Sequence, residues 1–385
     1  MKHKPFSSLN IVVVAHTYTT GPPQILRDYL KNRSHNLLYI GHPFSYRKEL
    51  RSKSHFYHKG RNIRNRTFPG ISNSLLLFAR DIIATIFFVL SSKRKFDIYI
   101  GADCLNAYTG LILKKLGRTN KVICYTMDYA IKRFENPILN HLYHSLDKNV
   151  QKNVYSIWNV SDIMFKARIS LRKPKKHDAP QFVVPVGVDF SKINRPTSNQ
   201  VNMNRIAYMG GLHPTFNPQI LLEALPQLIE RFPNLKLVII GTGPLENEIR
   251  DFIKDKGLEN HVTMFGYIED HSEVERILTG CCIGFALYIP NPHTYKMFTD
   301  VSKPKVYMGC GLPVIITSVP PIAREVRKYQ TGIVIKYDKE ELIDATTRLL
   351  SDNEFYKDCR KNAIKYISRF EWTEIFKTAF DTSFN

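Results

Sequence analysis

The stretch Thr299–Thr317, TDVSKPKVYMGCGLPVIIT, reads as loop, short helix, glycine stop and buried strand. Ser302 is expected to cap the helix, Pro304 to fit its first turn, and Gly309 to Gly311 to end it. Val314, Ile315 and Ile316 form an apolar run suited to an interior parallel strand. Free amides at a helix N-terminus carrying Ser302, Lys303 and Lys305 make an anion site. In a long α/β chain, the diphosphate of a nucleotide-linked substrate is the natural occupant.

Outward from this stretch, strand and helix signals alternate along the whole chain. In the first half, strands are expected at Asn10 to Ala15, Asn36 to Ile40, Asp97 to Gly101 and Lys121 to Tyr125. Helices are expected from Pro22, over 75–92, from Asn106 and over 137–155, with 42–72 read as basic, irregular loop. After a polar linker, Ser191 to Asn204, the pattern restarts at Arg205 to Met209 and runs through Leu235 to Ile240 and Val262 to Phe265. Two βαβ halves predict an α/β chain with two Rossmann-like parallel-sheet domains facing a central cleft. The expected divisions are 1–185, 186–365 and a C-terminal helix, 366–385, crossing back to the first domain with Trp372 as its anchor.

Length and composition agree. At 385 residues and 43% hydrophobic content the chain is long enough for two cores, which excludes disorder. Its six cysteines (Cys104, Cys124, Cys281, Cys282, Cys310, Cys359) show no metal-ligand spacing and suit a reducing compartment. Asn32, Asn65 and Asn159 open glycosylation sequons, read as chance because no secretion signal is recognised. Ile11 to Ala15 is too short for a signal and reads as a strand. Leu75 to Leu90 is split by Arg80 and Asp81. Its uncharged remainder falls well short of the roughly 20 residues that cross a bilayer, so a core or interfacial helix is expected. The expected location is cytoplasmic, with peripheral attachment to the inner membrane face.

The net charge of +21 is one-sided. Residues 1–185 hold 31 Lys and Arg against 10 Asp and Glu, whereas residues 186–385 hold 24 of each sign. Basic clusters lie at Arg47-Lys48, at Arg51 to Arg66, at Lys93-Arg94-Lys95, and at Arg172-Lys173 with Lys175-Lys176. Such a field suits an anionic membrane surface, a phosphate-bearing acceptor or nucleic acid, and a merely soluble basic face is the plain alternative. Nucleic acid is not expected as a partner, because no helix-turn-helix, zinc-finger or RNA-recognition sequence is present.

The second half resembles the family 4 (group 1) glycosyltransferases of the GT-B fold. The similarity is carried by Val186-Gly187-Val188-Asp189, Tyr208-Met209-Gly210-Gly211-Leu212, Leu237 to Pro244 (LVIIGTGP), Val262 to Tyr267 (VTMFGY) and Gly311-Leu312-Pro313-Val314-Ile315, in order over residues 182–317. The resemblance implies a hexosyltransferase that moves a sugar from a nucleotide-diphosphate donor to a glycan or lipid-linked acceptor in cell-surface glycan assembly. It implies retention of configuration, no metal and no cofactor, the nucleotide-sugar being a substrate. The donor-binding candidates are Gly21, Gly210, Gly211, Gly243, Tyr267, Ser302, Lys303 and Lys305. Gly21 belongs to the Thr17–Gln24 loop, which the family places under the donor phosphates, although Pro22 and Pro23 also simply start a helix. Asp128, Asp300 and Lys303 are the catalytic candidates, and His16 and Arg133 the acceptor-binding ones. Asp128 equally suits a helix cap, and Lys305 a solvated helix end.

The chain departs from the family in several places. Two glutamates expected ahead of Gly311 fall on Phe298 and Val306, with Asp300 near enough to replace the first. The usual phosphate-gripping Arg and Lys fall on Gly211 and Asn217, and Met127 holds a common histidine position. A divergent branch carrying a Thr-Asp-x-Ser-Lys run is the reading these departures favour. A sugar-nucleotide epimerase, a pseudoenzyme and a nucleic-acid-binding protein are the alternatives.

Overall fold

The computed structural model describes residues 5–16, 21–44, 49–71, 73–171, 174–214, 216–291 and 295–384. Thr17 to Thr20, Arg47-Lys48 and Arg172-Lys173 therefore lie outside the described residues. The chain divides into one unit of Met1–Pro185 with Thr373–Asn385 and a second of Val186–Trp372.

The first unit holds strands β1 (Asn10–His16), β2 (Asn36–His42), β3 (Ser52–His58), β4 (Arg61–Phe68), β5 (Phe96–Ala102), β6 (Thr119–Thr126), β7 (Ser156–Asn159) and β8 (Gln181–Val183). They form one sheet in the order β4-β3-β2-β1-β5-β6-β7-β8. Its helices are α1 (Pro22–Lys31), α2 (Ser74–Ser91), α3 (Cys104–Lys115), α4 (Pro137–Asn153) and α5 (Asp162–Leu171). β1 is apolar along its length because neighbours flank it on both sides, with β2 and β5 both parallel to it.

The expected loop over 42–72 is corrected. β3 pairs antiparallel with β2 and with β4, extending the sheet at its edge. Lys59 (φ 46°) and Gly60 (φ 85°) make the two-residue turn, both in the left-handed region that a tight hairpin requires. β3 alternates buried Ser52, Ser54 and Phe56 with more exposed neighbours, while β4 is almost wholly exposed. One covered face and one open edge explain why the stretch is so polar.

The second unit holds β9 (Arg205–Met209), β10 (Lys236–Ile240), β11 (Val262–Gly266), β12 (Ile283–Ala286), β13 (Val314–Thr317) and β14 (Gly332–Ile335), all parallel, in the order β11-β10-β9-β12-β13-β14. Its helices are α6 (Gln219–Arg231), α7 (Glu246–Asp255), α8 (His271–Thr279), α9 (Ser302–Gly309), α10 (Ile322–Lys328), α11 (Lys339–Ser351) and α12 (Asn353–Ile367). Successive strand residues face opposite sides, so the sheet feeds two cores. Ile206, Leu237, Ile239, Ile283, Phe285 and Ile315 enter one, and Ala207, Val238, Ile240, Ala286, Val314 and Ile316 the other. Each fully buried Val, Leu, Ile or Phe among them contributes about 1.5–3 kcal/mol.

The C-terminal helix expected over 366–385 starts later, at Trp372. α12 ends at Ile367, a short turn spans Ser368–Phe370, and α13 (Trp372–Phe384) follows. From Thr373 onward α13 belongs to the first unit. There Phe380 meets Trp158 edge-on with centroids 5.0 Å apart, Phe376 meets Tyr29 at 5.4 Å, and Trp158 Nε1 donates to Ser383 Oγ at 2.8 Å. Trp372, expected as the anchor, is buried at the first position of α13, where its backbone N–H donates to Val188 O at 3.4 Å.

Candidate functional site

In the second unit the strand order reverses between β9 and β12, the place where open parallel sheets bind ligands at their carboxyl ends. Gly210 and Gly211 follow β9, Gly241 to Gly243 follow β10, and Tyr267 follows β11 with its side chain exposed. Thus Gly210, Gly211, Gly243 and Tyr267 come to one edge of the sheet. The two glycine turns interlock: Gly210 N–H donates to Ile240 O at 2.8 Å and Leu212 N–H to Thr242 O at 3.0 Å. A Cβ on Gly241 would overlap Gly210 O, and one on Gly243 would overlap Leu212 O. Close backbone approach therefore accounts for these glycines before any ligand does. Gly241→Ala is expected to cost on the order of 3 kcal/mol, read as a fall of roughly 6–12 °C in the Tm of the free protein.

Lys303 closes this edge. A Cβ on Gly210 would overlap the Lys303 ammonium, so glycine makes room for the cation. Lys303 Nζ lies 4.6 Å from the Phe216 ring centroid, 5.5 Å from Tyr208 and 5.8 Å from Tyr288. The residue as a whole is half-buried, with its ammonium set among these groups. No carboxylate among the described residues pairs with it. Burial pushes its pKa down to about 7, and the neighbouring Lys296 adds to that shift. Lys296 Nζ lies 5.4 Å from the centroid of the same Phe216 ring. An enclosed ammonium at Lys303, set against an aromatic wall with no carboxylate paired to it among the described residues, is arranged for an anion.

α9 supports the same reading, with corrections to the sequence expectation. Val301, not Ser302, is the N-cap, and no side chain caps the helix. Ser302 is exposed at the first helical position. Gly311 then takes φ 82° just past the helix, as an end signal should. The amides that a side chain would otherwise satisfy remain for a ligand.

Asp300 and Lys305, both read from sequence as ligand-facing, face each other. Lys305 is buried, its Nζ 2.5 Å from Asp300 Oδ2 and donating to Val186 O at 2.6 Å. Val186 N–H donates to the same carboxylate oxygen at 2.8 Å. Burial raises the Asp300 carboxyl pKa and lowers that of the Lys305 ammonium, so each charge depends on the other. This pair clamps the backbone where the second unit begins. Val306, at the position of a family glutamate, is buried in a core cluster and can offer nothing to a ribose.

In the first unit the corresponding reversal lies between β1 and β5. His16 ends β1, Asp103 follows β5 and Asp128 follows β6, so they gather at one sheet edge with Arg133. Asp103 was not singled out from the sequence. It holds φ 73°, rare for a residue with a side chain, while heading α3. Its pKa is raised by burial and then by Asp128, while His16 and Arg133 act in the opposite sense. The only sequence signal for it was its place directly after an apolar strand. His16 stacks on Phe44 at 5.0 Å and its Nε2 lies 3.5 Å from Asp81 Oδ2. Gly21 is the N-cap of α1 with an extended φ of −162°, so nothing there demands glycine, and Pro22 and Pro23 start the helix. Among the described residues no cluster of His, Cys, Asp or Glu is arranged to hold a metal.

Residues 203–352 match the family model for Glycosyl transferases group 1. The chain carries a group 1 glycosyltransferase domain. That domain contains the Gly210–Lys303 cluster and most of the second unit. An uncharacterized glycosyltransferase of Methanocaldococcus jannaschii is 24% identical over 60% of this chain and 57% of its own length. Chitobiosyldiphosphodolichol beta-mannosyltransferase of Debaryomyces hansenii is 26% identical over 40% of this chain and 34% of its own length. The matched region thus spans about half or less of these relatives. The structure of Anabaena HepE in complex with UDP and glucose aligns over 97% of this chain and 99% of its own, at 15% identity with a TM-score of 0.70. The fold is therefore GT-B, with two parallel-sheet α/β domains in one chain, and the group 1 match lies within its second unit.

Proposed function

We propose that the protein is a hexosyltransferase of glycosyltransferase family 4 that takes its sugar from a nucleotide-diphosphate donor, UDP-linked in the first instance. The observation that carries this reading is the Lys303 ammonium, enclosed at the β9/β12 reversal with no carboxylate partner among the described residues. A group 1 domain and the UDP named with Anabaena HepE support the choice of donor. Lys303, with Lys296 beside it, would hold the diphosphate and neutralise the charge that grows on it as the glycosidic bond breaks. A diphosphate held by lysines and free amides needs no metal, and no cofactor enters the reaction. Retention of configuration follows the family resemblance.

The acceptor is a glycan or lipid-linked glycan bound by the first unit. There Asp128 or Asp103 would orient the attacking hydroxyl, and Arg133 and His16 would meet acceptor groups. The charge excess of residues 1–185 supports work at the cytoplasmic face of an anionic membrane, in cell-surface glycan assembly. A dolichol-linked acceptor appears in the name of the Debaryomyces relative, which supports the lipid-linked form.

Thermal shift against UDP-glucose, GDP-mannose and ADP-glucose tests the donor reading. One donor is expected to raise Tm, by about 2.7 kcal/mol of stabilisation at a hundredfold excess over its Kd. A flat response to all nucleotide-sugars would reject it. Product analysis with and without acceptor then separates transfer from epimerisation.

A further inference from the structure

α2 is built the wrong way round for a surface helix. Its only two charged residues, Arg80 and Asp81, are turned inward and are 2% and 3% exposed. Arg80 donates to Leu50 O at 2.8 Å and Ser52 Oγ at 2.9 Å, and lies 3.0 Å from Asp81. Asp81 in turn faces His42 at 3.4 Å and His16 at 3.5 Å. The outward positions whose side chains are described are apolar without exception: Leu76, Phe78, Ala79, Ile83, Phe87 and Leu90. Leu76 and Ile83 are 52% and 56% exposed, far beyond a side chain that merely edges a core. Leu76, Ile83, Phe87 and Leu90 are spaced seven, four and three apart, which sets them in one stripe about 21 Å long. The buried charges prevent the helix from rolling to hide that stripe, since exposing the apolar face to the interior would bring Arg80 and Asp81 out of their partners.

The stripe ends at a basic groove. Phe87 contacts Phe68 of β4 at 5.6 Å, and beside them a cavity of about 100 Å³ is lined by Ile63, Arg64, Arg66, Phe88, Ser91 and Arg94, among others. No carboxylate among the described residues pairs with these three arginines. Lys93 and Lys95 are exposed on the adjoining turn. The cavity is far smaller than the roughly 300–1,000 Å³ of a pocket for a whole small molecule, and admits a group of phosphate size.

We infer that the outer face of α2 and the Arg64–Arg66–Arg94 groove form a docking surface for an anionic lipid bilayer. The helix lies in the headgroup plane with its apolar stripe among the acyl chains, and the arginines take lipid phosphates. A protein partner would need to match an apolar stripe that ends in a cluster of positive charge, which an anionic bilayer matches without further design. Among the described residues no helix is long and apolar enough to cross a membrane, in keeping with a helix that lies on one. The inference rests on the reading of an enzyme that works at an anionic membrane face, and gives that reading a surface.

Vesicle co-sedimentation of the full chain without donor tests it, comparing phosphatidylcholine vesicles with vesicles containing about a third phosphatidylglycerol. The wild type is expected to bind the anionic vesicles at least tenfold more strongly, and less so in high salt. Ile83→Ser with Phe87→Ser, and separately Arg64→Gln with Arg66→Gln, are each expected to weaken that binding by roughly tenfold or more. All of these positions are exposed or at the groove, and an unchanged thermal shift with nucleotide-sugar shows that each variant is folded. Wild-type binding that is absent, or equal on both vesicles, overturns the inference. So do variants that bind as the wild type does, which would leave the membrane reading but move it elsewhere. A Phe87 variant that changes only the oligomeric state by light scattering also overturns it, by assigning the face to a second copy of the chain. The donor reading is untouched by any of these outcomes.

Discussion

Replacing Lys303 with Ala is expected to reduce kcat/KM by roughly 10²- to 10³-fold and to abolish the thermal shift produced by nucleotide-sugar. The free protein should lose no stability. Lys303 is held at a pKa of about 7 by burial and by Lys296, against 10.5 for an ordinary lysine. Between those values the unfolded chain holds a proton that the native chain lacks, so native stability rises with pH across that window. Lys303→Met should remove this slope and, at neutral pH and below, leave the free protein as stable as the wild type or more so. Donor affinity should behave in the opposite sense. Binding a diphosphate requires the charged lysine, so affinity is expected to be level below pH 7 and to fall by up to tenfold per unit above it. A sugar diphosphate has no ionisation of its own near neutrality, which leaves the lysine as the titrating partner. Calorimetry at pH 6, 7, 8 and 9 reads this directly. A Lys303→Ala variant that turns over normally would remove the donor site from this place in the fold.

Asp300→Ala is expected to fail by a different route. It leaves the Lys305 ammonium buried without its partner at 2.5 Å and releases the N–H of Val186. Breaking a buried pair in this way costs about 3–5 kcal/mol. The expected result is a fall in Tm of roughly 6–20 °C in the free protein, with activity lost in proportion to the folded fraction. Asp300→Ala combined with Lys305→Met should recover much of the stability, because the stranded charge goes with its partner. If the single variant kept its Tm and lost turnover, Asp300 would return as a catalytic residue. The contrast between the two lysines is the point of the pair of experiments. Lys303 and Lys305 are two positions apart on α9, one enclosed without a counter-charge and the other satisfied by its own chain.

That contrast was not legible in the sequence. The run SKPK shows two lysines at the start of a helix, and periodicity places one roughly 200° from the other, but the side that holds a carboxylate depends on where Asp300 and Val186 are folded. Lys296 and Asp103 were missed for the same reason. Lys296 precedes α9 and meets Phe216 from a distant loop, and Asp103 meets Asp128 and His16 from separate strands. The hairpin over Ser52–Phe68 was missed although Lys59-Gly60 offers the right turn, because its strands carry few apolar residues and one of them is an open edge.

What the sequence settled by itself is local and periodic: apolar runs long enough for strands, glycines where two backbones must touch, and the helix stop and strand of Gly309 to Thr317. These follow from backbone sterics and burial, which act over a few residues and leave a mark in the order of residue types. The tertiary structure alone decided which charges are partnered. It set Lys305 against Asp300, left Lys303 at the open edge, and turned Arg80 and Asp81 inward so that an apolar helix face meets solvent. Charge pairing depends on distances of a few ångströms between residues far apart in the chain, and on the burial that gives those distances their energy.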